Sequence, residues 1–372
     1  MTPPVPTRPG IDVAVETVAV SAYEIPTEQP ESDGTLKWDS TTMVVVEVKG
    51  GDRTGLGYTY ADVAAAKLVE SKLADVVESR DAMAVPAAWE TMVEAIRNLG
   101  RPGICSMAIA AVDIALWDLK ARLLDLPLVA LFGAAHEAVP IYGSGGFTSY
   151  SLDELRQQLG DWVEQGIPRV KMKVGREPSK DPRRVAAARD AIGPAAELFV
   201  DANGAYSRKQ ALELAEDFAA QRVSWFEEPV SSDDLEGLRL IRDRSPVGME
   251  VAAGEYGYDL PYFERMLEAG AVDVLQADVT RCAGITELTR VGALCRARSL
   301  ALSGHTAPAL HVHPLCAIEQ LAHLEYFHDH ARIESMLLDG VPDPAGGALR
   351  PDLSRPGHGL ELRTADAEAF AA

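Results

Sequence analysis

The chain of 372 residues is 47% hydrophobic and 24% charged, the make-up of a globular protein that folds by burying a core, and this excludes a disordered or fibrous chain. Its formal net charge of −21, with no basic block, argues against nucleic acid or an anionic membrane surface as a partner. An anionic small molecule stays open, provided a metal ion and a few lysines make one pocket locally positive.

A barrel of about 250 residues would leave roughly 120 for a second domain, so two domains are expected. Cys105, Cys282, Cys295 and Cys316 are scattered with no CxxC pair, which reads as reduced thiols in a cytoplasmic protein. The start, MTPPVPTRPG, carries no apolar segment behind a basic patch, and no stretch approaches 18 uninterrupted apolar residues, so neither a signal peptide nor a membrane span is expected. A homo-oligomer is compatible with all of this.

In chain order, residues 11–20 alternate apolar and polar, 41–50 are β-branched, and GLGYTY follows at 55–60, the pattern of an antiparallel meander. ESDGTLKWDS at 31–40 is polar and contains glycine, and is expected to be a loop and a candidate substrate flap. Helical spacing over 62–78, 86–99 and 106–124 completes an α+β capping domain, 1–135. From 136 to 339 strands alternate with helices near 152–165, 180–192, 207–220, 233–243, 260–269, 284–298 and 309–320. Counting IYGSG, which begins at Ile141, this gives eight strands and seven intervening helices, an α/β fold of the (β/α)7β TIM-barrel type. The tail, 340–372, has no barrel pattern and is expected to pack back on the cap.

The barrel strands share one feature. VKMKV (170–174), LFVDAN (198–203), WFEEP (225–229), VAAGE (251–255), VLQAD (274–278), LSGH (302–305) and LE (324–325) each run apolar and then deliver a charged or ionisable side chain. A strand inside a barrel should turn polar where it emerges, which puts these groups on one rim. Asp201, Glu227 and Glu255 lie 26 and 28 residues apart, about one β/α unit each, so adjacent strands present three carboxylates to one point. Each alone reads equally well as a helix cap or ion pair, but three in register suit a hard cation, and Mg²⁺ would keep octahedral positions for water or a bidentate substrate. Glu228 alternates to the other side of its strand and Asn203 is a candidate supporting partner.

Lys171 and Lys173 share a face of one strand and need an anionic explanation. They either neutralise the carboxylates or, beside a metal and each other, supply a lysine of depressed pKa that takes a proton at neutral pH. Asp278 and His305 end successive strands 27 residues apart, and an Asp behind a His fixes its tautomer and raises its basicity. Glu325 ends the last strand and would polarise a substrate group or pair with a neighbour. His311 and His313 point apart on a helix, and 327–330 reads as surface loop. No GxGxxG, GxxxxGK[ST] or GxSxG is present, which removes the dinucleotide, P-loop and serine-hydrolase readings.

These motifs, with MAIAAVDIALWDLKARLLDLPLVALFG at 107–133 and RPGHGLELR at 355–363, resemble the enolase superfamily and within it the mandelate racemase subgroup, over nearly the whole chain. The resemblance implies Mg²⁺ on Asp201, Glu227 and Glu255, Lys173 as one acid/base group and the His305–Asp278 pair as the other. It implies that Lys171 steadies the substrate carboxylate and that Glu325 hydrogen-bonds an enediolate. The muconate-lactonizing subgroup carries a lysine where this chain has Asp278, and Ala283 stands where relatives often have a second glycine. The expected activity is removal of the α-proton of a small hydroxy-carboxylate, foremost dehydration of an acid sugar to a 2-keto-3-deoxy acid, with a racemase or epimerase and a catalytically silent carboxylate-binding protein as alternatives. Lys37 and Arg281 are candidates to meet a distal carboxylate of a diacid.

Overall fold

A computed structural model describes residues 13–372; the first two residues of the predicted opening strand, 11 and 12, lie outside them. The chain begins with a three-stranded antiparallel sheet, β1 (Thr17–Ser32), β2 (Lys37–Gly50) and β3 (Arg53–Tyr60). The predicted loop at 31–40 is mostly strand. Glu31 and Ser32 pair with Trp38 and Lys37, and only 33–36 form the turn. Polar residues hold this hairpin end because they bond one another: Trp38 Nε1 donates to Glu31, and Asp33 accepts from the backbone N–H groups of Thr35 and Leu36.

Helical residues follow as α1 (Ala64–Leu68), a π-helical turn (Val69–Leu73), α2 (Ala74–Val77), α3 (Val85–Ala95), α4 (Ile104–Leu123) and α5 (Leu128–Phe132). Alanine-rich α4 is buried on nearly every side, so it lacks an amphipathic stripe. It lies so close to β3 that a Cβ on Gly57 would stand 2.2 Å from the carbonyl oxygen of Ala111. Backbone cannot rotate away as a side chain can. Gly57→Ala is therefore expected to cost about 3 kcal/mol, at the upper end of overpacking effects, read as a lower denaturation midpoint in urea.

The barrel then alternates strictly: β4 (Val139–Gly145), α6 (Leu152–Glu164), β5 (Arg169–Lys173), α7 (Asp181–Ile192), β6 (Glu197–Asp201), α8 (Arg208–Ala220), β7 (Val223–Glu227), α9 (Leu235–Arg244), β8 (Glu250–Ala253), α10 (Leu260–Glu268), β9 (Val274–Ala277), α11 (Ile285–Arg298), β10 (Ala301–Gly304), α12 (Pro308–Cys316) and β11 (Leu321–Phe327). All eight strands are parallel and β11 closes on β4, as the sequence predicts. Local chemistry marks the helix starts. Ser151 and Ser207 form capping boxes on α6 and α8, and Asp234 and Asp259 cap α9 and α10.

Helix α13 (His328–Leu337) begins where a surface loop is predicted, and Asp329 and His330 are buried. Thr41 of the cap donates to Asp329, and Arg332 donates to the Pro26 carbonyl at 2.8 Å, contacts that tie this turn to the cap and that local polarity does not reveal. In the tail, after β12 (Leu338–Asp339), β13 (Ala348–Leu349) pairs with β4 and β14 (Glu361–Leu362) with β12. His358 donates its backbone N–H to Asp118 of α4. All four cysteines are free and buried, and no helix among the described residues is long and apolar enough to cross a membrane.

Inside the barrel, successive residues of one strand face alternately in and out, so inward groups recur every second position. Tyr142, Phe199 and Trp225 form an aromatic floor. Two residues further along the same strands stand Ser144, Asp201 and Glu227, which is how an apolar layer gives way to a charged one.

Candidate active site

The rim groups converge. Among the described residues, Asp201, Glu227 and Glu255 each bring a carboxylate oxygen within 4.8 Å of the other two, and all three are buried. Register explains this: Asp201 of β6 pairs with Glu227 of β7, whose next neighbour β8 leads directly into Gly254 and Glu255. Burial and the Asp201 carboxylate push the Glu227 carboxyl up to about 8. Such crowding of buried hard oxygen donors is what a divalent cation relieves.

Glu228 is buried too, though it is not one of the three converging carboxylates. The strand ends at Glu227, Glu228 takes a left-handed φ of 37°, and its carboxyl is raised well above the usual range by burial and by Glu255 and Asp201. Alternation along a strand stops applying where the strand stops. Its Oε1 is buried without a hydrogen bond, as are Asn203 Oδ1 and Glu325 Oε2, and unmet acceptors around an acidic triad further suit a cation site. Asn203, also left-handed at φ 46°, donates its backbone N–H to Asp201 Oδ1 at 2.9 Å.

Lys171 is fully buried. Its Nζ lies 2.7 Å from Glu227, 2.8 Å from Glu325 and 3.5 Å from Asp201, so it neutralises the cluster and is not among the groups lining the cavity above. Lys173 bonds Asp201 and does reach that cavity. Among the protein's own side chains, burial disfavours the ammonium, but Asp201 outweighs burial and Lys171, and Lys173 is raised; the depressed pKa expected for it belongs to a site that holds a metal. The sequence pairs the two lysines with each other and does not show that each has its own carboxylate.

Across the acidic strands, His305 Nδ1 lies 2.9 Å from Asp278 Oδ2, while Nε2 faces Glu255 at 3.1 Å and Glu325 at 3.5 Å. Burial opposes the imidazolium, but Glu255 and Glu325 overcome it and raise His305 to about 10. Asp278 is braced by the backbone N–H and hydroxyl of Thr280, both at 2.7 Å, and by Thr306. Burial works against its charge, yet His305 holds it below the carboxylate range. Burial likewise opposes Glu325, and Lys171 and His305 bring it down to about 2. Ser144 donates to Glu325, and Trp225 Nε1 donates to Glu227 at 2.9 Å. The motifs do not point to these two supports, although both stand on the inward face of predicted strands.

A cavity of about 560 Å³ opens over the cluster, lined from the barrel by Lys173, Asn203, Glu255, Arg281, His305 and Glu325 and from the cap by residues that include Leu36, Trp38, Thr41 and Tyr60. Arg281 is at its wall, but shared between Glu255 at 3.3 Å and Asp278 at 3.6 Å. Lys37 is exposed and not part of the lining, and Tyr142 lies in the barrel floor. His311 and His313 serve the backbone: each accepts an N–H, from Val279 and Val129. Ala283 adopts φ 66° with its carbonyl bonded by Trp89 Nε1, which is why glycine would fit there.

Two family profiles match, "Mandelate racemase / muconate lactonizing enzyme, N-terminal domain" over residues 14–133 and "Enolase C-terminal domain-like" over 154–367. A 3,6-anhydro-alpha-L-galactonate cycloisomerase of Streptomyces coelicolor is 32% identical over 94% of this chain and 97% of its own length. The crystal structure of a mandelate racemase/muconate lactonizing enzyme-like protein from Rubrobacter xylanophilus superimposes with a TM-score of 0.95 at 61% identity, covering 96% of this chain and all of that one (100%). L-talarate/galactarate dehydratase from Salmonella typhimurium LT2, liganded with Mg and L-lyxarohydroxamate, gives a TM-score of 0.90 at 26% identity, over 98% of this chain and 95% of that chain. With both profiles matched in order on a barrel that gathers the expected strand-end groups, the chain belongs to the mandelate racemase / muconate lactonizing enzyme family of the enolase superfamily.

Proposed function

We propose that the protein is a Mg²⁺-dependent lyase that removes the α-proton of an acid sugar and expels the oxygen on its β-carbon, giving a 2-keto-3-deoxy acid. The observation that carries this reading is that Lys173, on β5, and His305, following β10, flank the three acidic strands and line one cavity. Relatives named as acid-sugar dehydratases, an L-talarate/galactarate dehydratase and an L-rhamnonate dehydratase, support it.

Asp201, Glu227 and Glu255 would hold the metal. Bound there, Mg²⁺ would draw charge from Asp201, favouring the free amine of Lys173, and would offset the second negative charge that forms on the substrate as the α-proton leaves, a contribution of several kcal/mol. Lys173 Nζ takes the α-proton. Asp278 keeps the His305 proton on Nδ1 and turns Nε2 to the cavity, so a proton held at Nε2 can pass to the departing oxygen as the carbon–oxygen bond breaks. The oxygen leaves as water and the enol left behind tautomerises to the ketone. Glu325, beside His305 Nε2 and Lys171, keeps that end of the cavity polar.

The same two groups on both flanks would also serve a racemase or epimerase, with one removing and the other returning the proton. Incubating a library of acid sugars with Mg²⁺ and assaying 2-keto acid separates the readings: the lyase yields keto product, whereas inversion at the α-carbon with no loss of water contradicts it. Asp278→Asn should lower turnover by about 10²-fold or more, because an amide nitrogen facing Nδ1 no longer fixes the tautomer. A preserved fold by circular dichroism shows that the loss is chemical.

A further inference from the structure

The wall that the cap contributes to the cavity differs from the wall the barrel contributes. Its nine residues include Asp33 and Asp62 and no lysine or arginine. The cations of the lining are Lys173, Arg281 and the His305 imidazolium, all at the barrel end and all committed, Lys173 to Asp201 and the other two to Glu255 and Asp278. Arg176, near the hairpin, donates to the Leu36 carbonyl at 2.6 Å and lines a separate cleft. Asp33 and Asp62 are fixed by backbone N–H groups, of Leu36 and of Ala64, and neither has an ion-pair partner among the described residues.

The neutral part of this wall has a direction. Ser40 donates its hydroxyl proton to Glu24 at 2.8 Å and Thr41 donates its proton to Asp329, so both present their oxygens as acceptors. An acceptor can meet a sugar hydroxyl and repels a carboxylate. Beside them stands the Trp38 indole, held by Glu31 and set edge-on to Phe147 at 5.6 Å, an apolar surface for the C–H groups of a sugar chain.

Taking the cavity as the site of α-proton removal, we propose that the substrate is a monocarboxylic polyhydroxy acid, an aldonate whose uncharged tail lies against Trp38, Ser40 and Thr41, and that dicarboxylic acid sugars are refused by Asp33 and Asp62. This replaces the expectation that Lys37 and Arg281 receive a distal carboxylate.

Matched pairs test it: gluconate with glucarate, galactonate with galactarate and mannonate with mannarate, followed for binding by calorimetry and for α-proton exchange in deuterated water, each with Mg²⁺. The preferred aldonate should exceed its aldarate by about 100-fold in affinity or kcat/KM, since a second carboxylate meets like charge with no counterion. Leu36→Arg, at an exposed turn position on the cavity edge, should narrow that ratio by about tenfold by supplying the counterion. An aldarate handled as well as its aldonate, or an unchanged ratio in Leu36→Arg, overturns the proposal. Binding that ranks aldonates first without exchange of any α-proton upholds this proposal and removes the lyase reading; binding of neither series overturns both.

Discussion

Lys173→Ala should reduce turnover by about 10³-fold or more, the upper range for loss of a positioned general base. The residue does not sit in this site by accident of packing. It shares an inward face with Lys171, yet only Lys173 reaches the cavity, while Lys171 is enclosed by Glu227, Glu325 and Asp201. The two lysines should therefore fail differently. Lys171→Ala strips three buried carboxylates of their common cation, and should destabilise the fold by roughly 3–5 kcal/mol as well as abolish activity. Lys173→Ala leaves Asp201 with Lys171 still 3.5 Å away and should fold with a melting temperature close to that of the parent. Equal loss of stability in both variants would mean that Lys173, too, is only a counterion.

The second large effect concerns the metal. Treatment with a chelator should remove all measurable activity, and Mg²⁺ should restore it. Glu227→Gln should leave activity low even at saturating Mg²⁺, with a loss of about 10³-fold, since it removes one of three anionic donors from a site whose task is charge stabilisation. A readout independent of turnover accompanies this. A ligand that binds the folded protein alone raises its stability by about 2.7 kcal/mol at a concentration 100 times its dissociation constant, so Mg²⁺ should raise the melting temperature of the parent and do so much less in Glu227→Gln. Activity that survives exhaustive chelation would contradict the assignment of the triad.

The parts of this site that could be read in the sequence are those fixed by period. A barrel delivers one strand end per β/α unit, so Asp201, Glu227, Glu255, Asp278 and His305, spaced at that interval, announced a common rim, and the strand register brings the first three together as expected. What period does not encode is not legible in the chain. Glu228 reads as the poorer ligand by alternation and is not among the three converging carboxylates, but alternation does not report that the backbone turns left-handed there, past the end of β7. That Lys173 stands against Asp201 is a property of two strands, which the spacing within one strand does not report. The polar run at 31–40 reads as loop because its pairing partners, Glu31 with Trp38, lie on opposite arms of one hairpin. The cavity wall itself, built from Trp38, Thr41 and Tyr60 of the cap against Phe327 and His330 of the barrel, depends on how the two layers meet, and no spacing along the chain reports that.

We propose that this cavity removes a proton from the carbon next to a carboxylate. This is tested most directly by proton NMR of the acid-sugar library in deuterated water with Mg²⁺, comparing the parent with a Lys173→Ala, His305→Asn double variant. The parent should lose the α-proton signal of its substrate and form a 2-keto-3-deoxy acid, and the double variant should do neither. Exchange at an undiminished rate in the double variant, or no exchange by a folded, Mg²⁺-saturated parent with any acid of the library, would contradict it.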